Sequence, residues 1–253
     1  MNKLKLGVVP TRRNVFSRED AYRFKKLIIE KLKTYEEIEV VDIDWLNEEG
    51  LLYDSEDDTD VVIRYMKNAE VDAMFFPHVN FGTEHTVARV AQEINKPVLL
   101  WGPRDEDPLA DGFRLRDTQC GLFATGKVLR RFRVPFTYVP NCVIGDEVFE
   151  RGFRNFFAVA NTVRAFRKLR ILQISTRPAD FWTMMCNEGE LLERFGIKLN
   201  PVSMVDLELR FHKTFEVMSE ELITEAEGIK KVVDCSKFAD EAVLRIAALK
   251  ITL

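Results

Sequence analysis

The segment PVLLWGPRDE at residues 97–106 gives the clearest indication of the fold. Its first half is an apolar stretch of strand length, which Gly102-Pro103 ends abruptly. Strands made almost wholly of apolar residues are typical of a parallel sheet that helices cover on both faces. In such a sheet ligands gather beyond the carboxyl ends of the strands, where the charged residues after Pro103 fall. The segment therefore predicts an α/β domain with a polar pocket at one edge of its sheet.

The same pattern of strand, break and helix recurs through the first half of the chain. Strands are predicted at residues 4–9, 39–43, 71–76, 97–101 and 136–139. Helices with periodic apolar positions are predicted after each of the first four strands. We therefore expect an α/β domain built on a doubly wound parallel sheet, Rossmann-like or flavodoxin-like, within residues 1–145.

A connecting helix and a second α/β unit are predicted after this domain. Phenylalanines recur at helical spacing between residues 146 and 168, which predicts a face that packs onto the sheet or an adjoining domain. Strands are then predicted at 170–174 and 198–202, and helices at 188–195, 219–233 and 239–249. Two strands are too few for a sheet of ordinary size. Residues 169–253 are therefore interpreted as the start of a second α/β domain, either truncated or completed by a partner.

Composition excludes several classes of partner and location. The 253 residues carry a net charge of −4 with scattered Lys and Arg, so no nucleic-acid surface is expected. No apolar run is long enough to span a membrane, and the first residues lack a signal-peptide layout. The four cysteines form no CxxC pair, which favours a reduced protein. We expect a cytoplasmic protein whose ligand is a small polar molecule.

Motifs of several common enzyme classes are absent from the sequence. Pro10-Thr11-Arg12-Arg13 occupies the position after the first strand where a dinucleotide-binding domain has its glycines. The sequence contains no P-loop and no G-x-S-x-G motif. It also contains no HxH or HExxH motif, so no set of metal ligands is found in this chain.

Side chains at the predicted strand ends are the candidate binding residues. Arg12 can donate to hydroxyls or to an anionic group, or form a salt bridge across its loop. His78 and Asn80 can orient a polyol or cap the following helix. Trp101 can lie under the face of a sugar or simply end its strand. Gln119, near a helix start, can both donate and accept hydrogen bonds.

Charged residues surround these candidates and have two interpretations. Arg104, Asp105, Glu106, Arg116 and Asp117 either belong to the site or neutralise one another. A second loop, residues 175–190, follows a predicted strand and carries aromatic and carboxylate groups. Its glutamates fall in the first turn of a helix, where the helix dipole stabilises them in any case.

The strand-end loops together resemble the L-fucose and L-arabinose isomerase superfamily. The segments that carry the resemblance are GVVPTRR (7–13), FPHVNFGT (76–83), LWGPRD (100–105), RDTQCG (116–121) and MCNEG (185–189). The resemblance implies the family's N-terminal α/β domain and part of its central domain. It also implies the interconversion of an aldose and a ketose. In that reaction a divalent metal, usually manganese, polarises the carbonyl while a carboxylate moves a proton through an enediol.

The resemblance also implies a pocket formed at a subunit interface of a homo-oligomer, a trimer or a hexamer. It suggests sugar contacts at Arg12, His78, Asn80, Trp101 and Gln119, with Met185 and Asn187 on the central-domain side. Family members are longer and carry their metal ligands in later parts. No catalytic carboxylate or metal ligand is therefore assigned to this chain.

Three functional hypotheses follow. The first is a sugar isomerase-like protein in which this chain supplies substrate recognition and oligomer contacts. The alternative is a sugar-binding or regulatory module without catalysis. A third is an enzyme that uses Cys120 or Cys186 as a nucleophile, although neither thiol has a histidine clearly placed beside it.

Overall fold

The computed structural model describes residues 3–253, which divide into two compact units at residues 165 and 166. The first unit alternates strands and helices in chain order. Its elements are β1 (Leu4–Val8), α1 (Arg18–Lys33), β2 (Ile38–Val41), α2 (Glu56–Asn68), β3 (Ala73–Pro77), α3 (Glu84–Ile94), β4 (Val98–Trp101), α4 (Thr118–Arg131), β5 (Phe136–Tyr138) and α5 (Glu147–Arg167).

The five strands of this unit form one parallel sheet in the order β2-β1-β3-β4-β5. Leu6 of β1 lies beside Val40 on one side and Ala73 on the other. The prediction of a doubly wound parallel sheet is confirmed, and the strand order is the flavodoxin-like one. In this order the winding reverses between β1 and β3, and the crevice beyond their carboxyl ends is the usual ligand position.

Both faces of the sheet are covered by helices, because successive strand residues point to opposite sides. Phe75 and Trp101 face α1 and α5 in one core cluster. Phe76 and Leu100 face α2, α3 and α4 in the other. The apolar character of β3 and β4 therefore follows from burial on both faces.

Helix α5 is a layer of the first unit. We expected that domain to end at residue 145 and residues 146–168 to form a connecting helix. In the structure Phe149, Phe153 and Phe156 are buried in the core of the first unit, which extends to residue 165. The rings of Phe149 and Trp101 pack edge to face, with centroids 4.9 Å apart. The phenylalanine stripe thus covers the sheet, as its helical spacing predicted.

The second unit contains a two-stranded parallel sheet and a helical cluster. Its elements are β6 (Arg170–Ile174), a 3-10 turn (Trp182–Met184), α6 (Glu188–Phe195), β7 (Lys198–Val202), α7 (Met204–Val217), α8 (Glu220–Val232) and α9 (Asp240–Thr252). Helix α7 was not expected from the sequence. Its local signal is Ser203, whose hydroxyl accepts a hydrogen bond from the backbone N–H of Asp206. Over residues 3–253, none of the helices has the length and apolar character needed to cross a membrane.

Candidate binding site at the carboxyl edge of the first sheet

Hydrogen bonds join the loops that follow β1 and β3. The backbone N–H of Thr11 donates to the carbonyl of Pro77 (3.0 Å), and that of Val79 donates to the carbonyl of Thr11 (3.2 Å). The Thr11 and Thr83 hydroxyls lie 3.0 Å apart, and the Thr83 N–H donates to the Thr11 hydroxyl. Residues that follow the two strands are therefore held together at the switch point of the sheet.

Asn80 is the second link between these loops. Its Oδ1 accepts hydrogen bonds from the backbone N–H groups of Arg13 (2.8 Å) and Gly82 (3.2 Å), and its Nδ2 donates to the Arg13 carbonyl. Gly82 has a φ of +73°, which favours glycine. The Asn80 amide is fully buried and thereby positions the backbone of Arg13.

Arg12 lies beside a cleft of about 410 Å³, lined by Arg12, Asn14, Arg18, Asn47, Glu48, Glu49 and Tyr53. Its guanidinium lies 4.8 Å from the centroid of the Tyr53 ring, and its Nη2 donates to Asn14 Oδ1. Its Nη1 is 3.7 Å from Glu49 Oε2, too far for a hydrogen bond. Burial lowers the pKa of Arg12, with the Glu49 carboxylate opposing that effect.

Three polar atoms of the Arg12 and Glu49 side chains lack a hydrogen-bond partner among residues 3–253. They are Nε and Nη1 of Arg12 and Oε2 of Glu49, and all three are buried. Leaving a buried polar group without a partner is unfavourable by about 1–3 kcal/mol. The two Arg12 donors and the Glu49 acceptor therefore have hydrogen-bonding capacity that the described residues leave unused.

The loop after β2 holds Glu49 in place. Arg18 forms an ion pair with the Glu49 carboxylate, and Lys25 donates from Nζ to the Glu49 carbonyl (2.7 Å). Lys25 is buried and also pairs with Asp44. Asn47 Oδ1 accepts from the Glu49 N–H (3.1 Å). Sequence reasoning missed these residues, because only the fold brings α1 beneath this loop.

His78 and Trp101 are enclosed in the interior instead of lining a pocket. The His78 ring bonds to the Thr125 hydroxyl through Nε2 (2.8 Å) and to the Phe76 carbonyl through Nδ1 (3.2 Å). Burial lowers the pKa of His78 to about 4, so its imidazole is neutral at pH 7. Trp101 is fully buried and donates from Nε1 to Cys142 Sγ (3.2 Å). With Asn80, these side chains have no exposed surface in this structure and support the candidate site from within.

Gln119 has the exposed position that the sequence suggested. Its backbone N–H donates to Asp105 Oδ2 (3.1 Å), and its side chain lies at the surface in the first turn of α4. Asp105 also accepts from the backbone N–H and the hydroxyl of Thr118. Asp105 thus satisfies free donors at the helix start, and Gln119 remains a candidate binding residue.

Part of the charge in the loop after β4 is neutralised by ion pairs. Arg116 is buried and donates to Asp20 Oδ2 on α1 (2.7 Å) and to the Arg104 carbonyl (2.9 Å). Its guanidinium lies 3.3 Å from Glu106 and 4.1 Å from the centroid of the Phe24 ring. Arg116 and Glu106 therefore fit the structural alternative for these residues, in which opposite charges pair. Asp105 instead accepts hydrogen bonds at the start of α4.

The remaining candidates, Met185 and Asn187, belong to the second unit. Met185 is exposed and lines a cleft of about 680 Å³ beside β6 and the loop that follows it. Asn187 caps α6, since its Oδ1 accepts from the Glu190 N–H (3.1 Å). The side chain of Asn187 is thus used by the helix end.

No metal centre is found among the described residues, and the surroundings of Cys120 do not activate its thiol. Residues 3–253 contain no group of three or more His, Cys, Asp or Glu side chains that could hold a metal ion. All four cysteines are free. A hydrogen bond to Asp117 and partial burial raise the pKa of Cys120, the opposite of what a thiolate nucleophile needs.

The fold and the cleft define a doubly wound α/β protein with a polar cleft at the carboxyl edge of its sheet. A family model described as fucose/sulfoquinovose isomerase, N-terminal domain, matches residues 7–167. The chain belongs to this family, which confirms the resemblance to the fucose isomerase superfamily.

Known proteins similar to this chain include a curated relative and a solved structure. The sulfoquinovose isomerase of Alkalicoccus urumqiensis is 27% identical over 196 residues, which cover 78% of this chain and 43% of the relative. The chain thus spans less than half the length of that relative. A periplasmic solute binding protein of an ABC transporter from Actinobacillus succinogenes 130z, with bound D-allose, is 13% identical with a TM-score of 0.28. That alignment covers 85% of this chain and 65% of the other. A TM-score this low supports no conclusion about this chain.

Proposed function

We propose that this chain is the sugar-recognition part of an aldose–ketose isomerase and binds its sugar in the Arg12 cleft. The observation that carries the proposal is the buried Arg12–Glu49 pair, which offers unpartnered donors and an unpartnered acceptor. Neighbouring hydroxyls of a sugar supply both kinds of partner, since each can donate and accept. Membership of the isomerase family and the similarity to a sulfoquinovose isomerase support the same substrate class.

The contribution of this chain to the reaction is binding and orientation. His78 is neutral, fully enclosed and bonded to Thr125, so it is not placed to move a substrate proton. The divalent metal implied by the resemblance, manganese above all, does not fit the described residues, which contain no converging set of ligands. We therefore assign no proton-transfer or metal-assisted step to residues 3–253.

The test is sugar binding by calorimetry and ketose formation across a panel of L- and D-aldoses, with and without manganese. Arg12→Gln should weaken sugar binding roughly tenfold or more, because it removes the charged donor. Arg64→Gln, at an exposed arginine of α2, is the matched control and should leave binding unchanged. Gln119→Ala tests the exposed amide in the same assay.

The outcomes test the binding site and the catalytic role separately. Sugar binding that depends on Arg12 supports the proposal. Metal-dependent ketose formation would show that the active site is completed within this chain or its oligomer. Binding without turnover would support the recognition role and the alternative of a non-catalytic module. No sugar binding, or binding unaffected by Arg12→Gln, would contradict the proposed site.

Two further expectations belong to the same proposal. A homo-oligomer, a trimer or a hexamer, follows from the family resemblance, and light scattering of the purified chain measures it. A cytoplasmic location is suggested by the four unpaired cysteines, since disulfides are rare in that compartment. Fluorescence microscopy of the tagged protein in its host tests the location.

A further inference from the structure

Strand β5 is an edge strand of the first sheet and has one open side. It is the last strand in the sheet order and pairs with β4. The backbone N–H of Val139, just after the strand, donates to the Leu100 carbonyl of β4 (3.0 Å). Because backbone groups alternate in direction along a parallel strand, those of Phe136 and Tyr138 point away from β4. An open edge of this kind is a template on which an extended peptide pairs.

A groove of about 580 Å³ lies between this edge and helix α4. Phe136 and Tyr138 line it from the strand, and Leu122 and Phe123 line it from the helix. Phe136 and Tyr138 are two positions apart, so their side chains share the face of the sheet that α4 covers. Phe123 is 60% exposed, which is unusual for so large an apolar side chain. The groove thus offers aromatic surface beside free backbone groups.

The rim of the groove is positively charged. It is formed by Lys127, Arg130 and Arg131, all exposed on α4. Among the ion pairs of residues 3–253, none includes these three side chains. Cations suit the last turn of a helix, where Arg130 and Arg131 lie, but Lys127 comes before that turn. In a chain with a net charge of −4, this concentration of positive charge attracts acidic segments.

We propose that the groove binds an extended acidic segment of another protein, which joins the first sheet as a strand beside β5. The backbone of the segment pairs with Phe136 and Tyr138, its apolar side chains pack on Phe123, and its carboxylates meet the cations of α4. In strand addition, main-chain hydrogen bonds give affinity and side-chain pockets give specificity. Charge complementarity selects the acidic occupant. The groove shares no lining residue with the Arg12 cleft, so this inference is independent of the proposed function.

The experiment measures peptide binding to the whole chain by fluorescence anisotropy. The probe is a labelled, glutamate-rich peptide with phenylalanines two positions apart, which place their rings on one face of a strand. The unaltered chain should bind this peptide, and its affinity should fall as salt is raised from about 0.05 M to about 0.5 M, because ions screen exposed charges. A peptide with lysine in place of each glutamate should not bind.

Variants of the chain locate the binding site. Arg130→Glu should weaken peptide binding roughly tenfold or more, because an attraction becomes a repulsion. Phe123→Ser should weaken binding through loss of the apolar contact. Lys33→Glu, at an exposed cation in the last turn of α1, is the matched control and should leave the affinity unchanged. Circular dichroism confirms that each variant is folded.

Backbone hydrogen exchange, followed by NMR, tests the addition of a strand. The N–H groups of Phe136 and Tyr138 should exchange more slowly once the peptide is bound, because each gains a carbonyl partner. The Val139 N–H is the internal reference, since it is bonded to Leu100 whether or not the peptide is present.

Failure of the unaltered chain to bind the acidic peptide would overturn the inference. Equal binding of the lysine peptide, or binding that survives Arg130→Glu, would overturn the recognition of charge at this groove. Binding without slower exchange at Phe136 and Tyr138 would overturn the addition of a strand. Self-association of the chain that Arg130→Glu abolishes would assign the groove to a second copy and overturn the choice of occupant.

Discussion

A β-carbon at Gly121 would lie 1.8 Å from the carbonyl oxygen of Phe81. Gly121 is in the first turns of α4, so this helix and the loop after β3 touch backbone to backbone. Phe81 follows Asn80 and supports the guanidinium of Arg13. The absence of a side chain at Gly121 therefore sets where the loop at the candidate site lies.

Gly121→Ala should destabilise the first unit. The new methyl group meets backbone atoms that cannot rotate away, so we expect the free energy of unfolding to fall by about 1–3 kcal/mol. Urea denaturation followed by circular dichroism measures the change. Gly228→Ala on α8 is the matched control, because nothing lies within 4 Å of a β-carbon there. It should be stabilising by roughly 0.5–1 kcal/mol, and equal effects at the two glycines would refute the prediction.

Acid should destabilise the fold through His78. Burial lowers the pKa of this histidine from 6.5 to about 4, so the unfolded chain binds more protons between these values. The contribution of neutral His78 to stability is therefore complete above about pH 6.5 and is lost as the pH falls towards 4. The full loss is on the order of 3 kcal/mol.

An NMR titration of the imidazole signals checks this directly. The midpoint of the His78 titration should lie near pH 4, so that its signal at pH 6 to 7 is that of the neutral ring. The exposed His85 is the control residue, and His85→Gln should leave the His78 titration unchanged. A His78 midpoint near 6.5 would mean that the ring is not enclosed as described.

Lys25→Met should loosen the loop that carries Glu49. The substitution keeps an apolar stem but removes the donor to the Glu49 carbonyl and the partner of Asp44. We expect the free energy of unfolding to fall by about 1–3 kcal/mol, with weaker sugar binding, because a buried carbonyl loses its hydrogen bond. Lys26→Met, one residue further along α1 and exposed, should change stability by no more than about 0.5 kcal/mol. Similar losses for both variants would argue against a role for the Lys25 contacts.

Local patterns were enough to predict most elements of this chain. The apolar strands β3 and β4 are recognisable because burial on both faces leaves few polar residues in them. The phenylalanine face of α5 was recognisable from its helical spacing, although its place within the first unit was not. Helix α7 was missed even though Ser203 and Asp206 form a local capping signal.

The candidate site was harder to predict. His78 and Trp101 lie at strand ends. The sequence pattern at a strand end is the same whether the side chain lines a pocket or packs in the core beneath it. Which of the two applies depends on Thr125 and Cys142, far along the chain. Arg12 was recognised, but its partner Glu49 was not, since 37 positions separate them in sequence and their contact exists only in the folded unit.

Local hydrophobic patterns and short motifs were enough to predict the parallel α/β architecture, the edge at which polar loops gather and the family. Three contacts became evident only in the folded chain: Asn80 binds the backbone of Arg13, Arg12 lies beside Glu49, and Arg13 lies over the Phe81 ring. The physical reason is that burial and charge pairing depend on which distant segments pack together. A one-dimensional pattern specifies the strands and helices, but their packing specifies which polar groups remain free to bind.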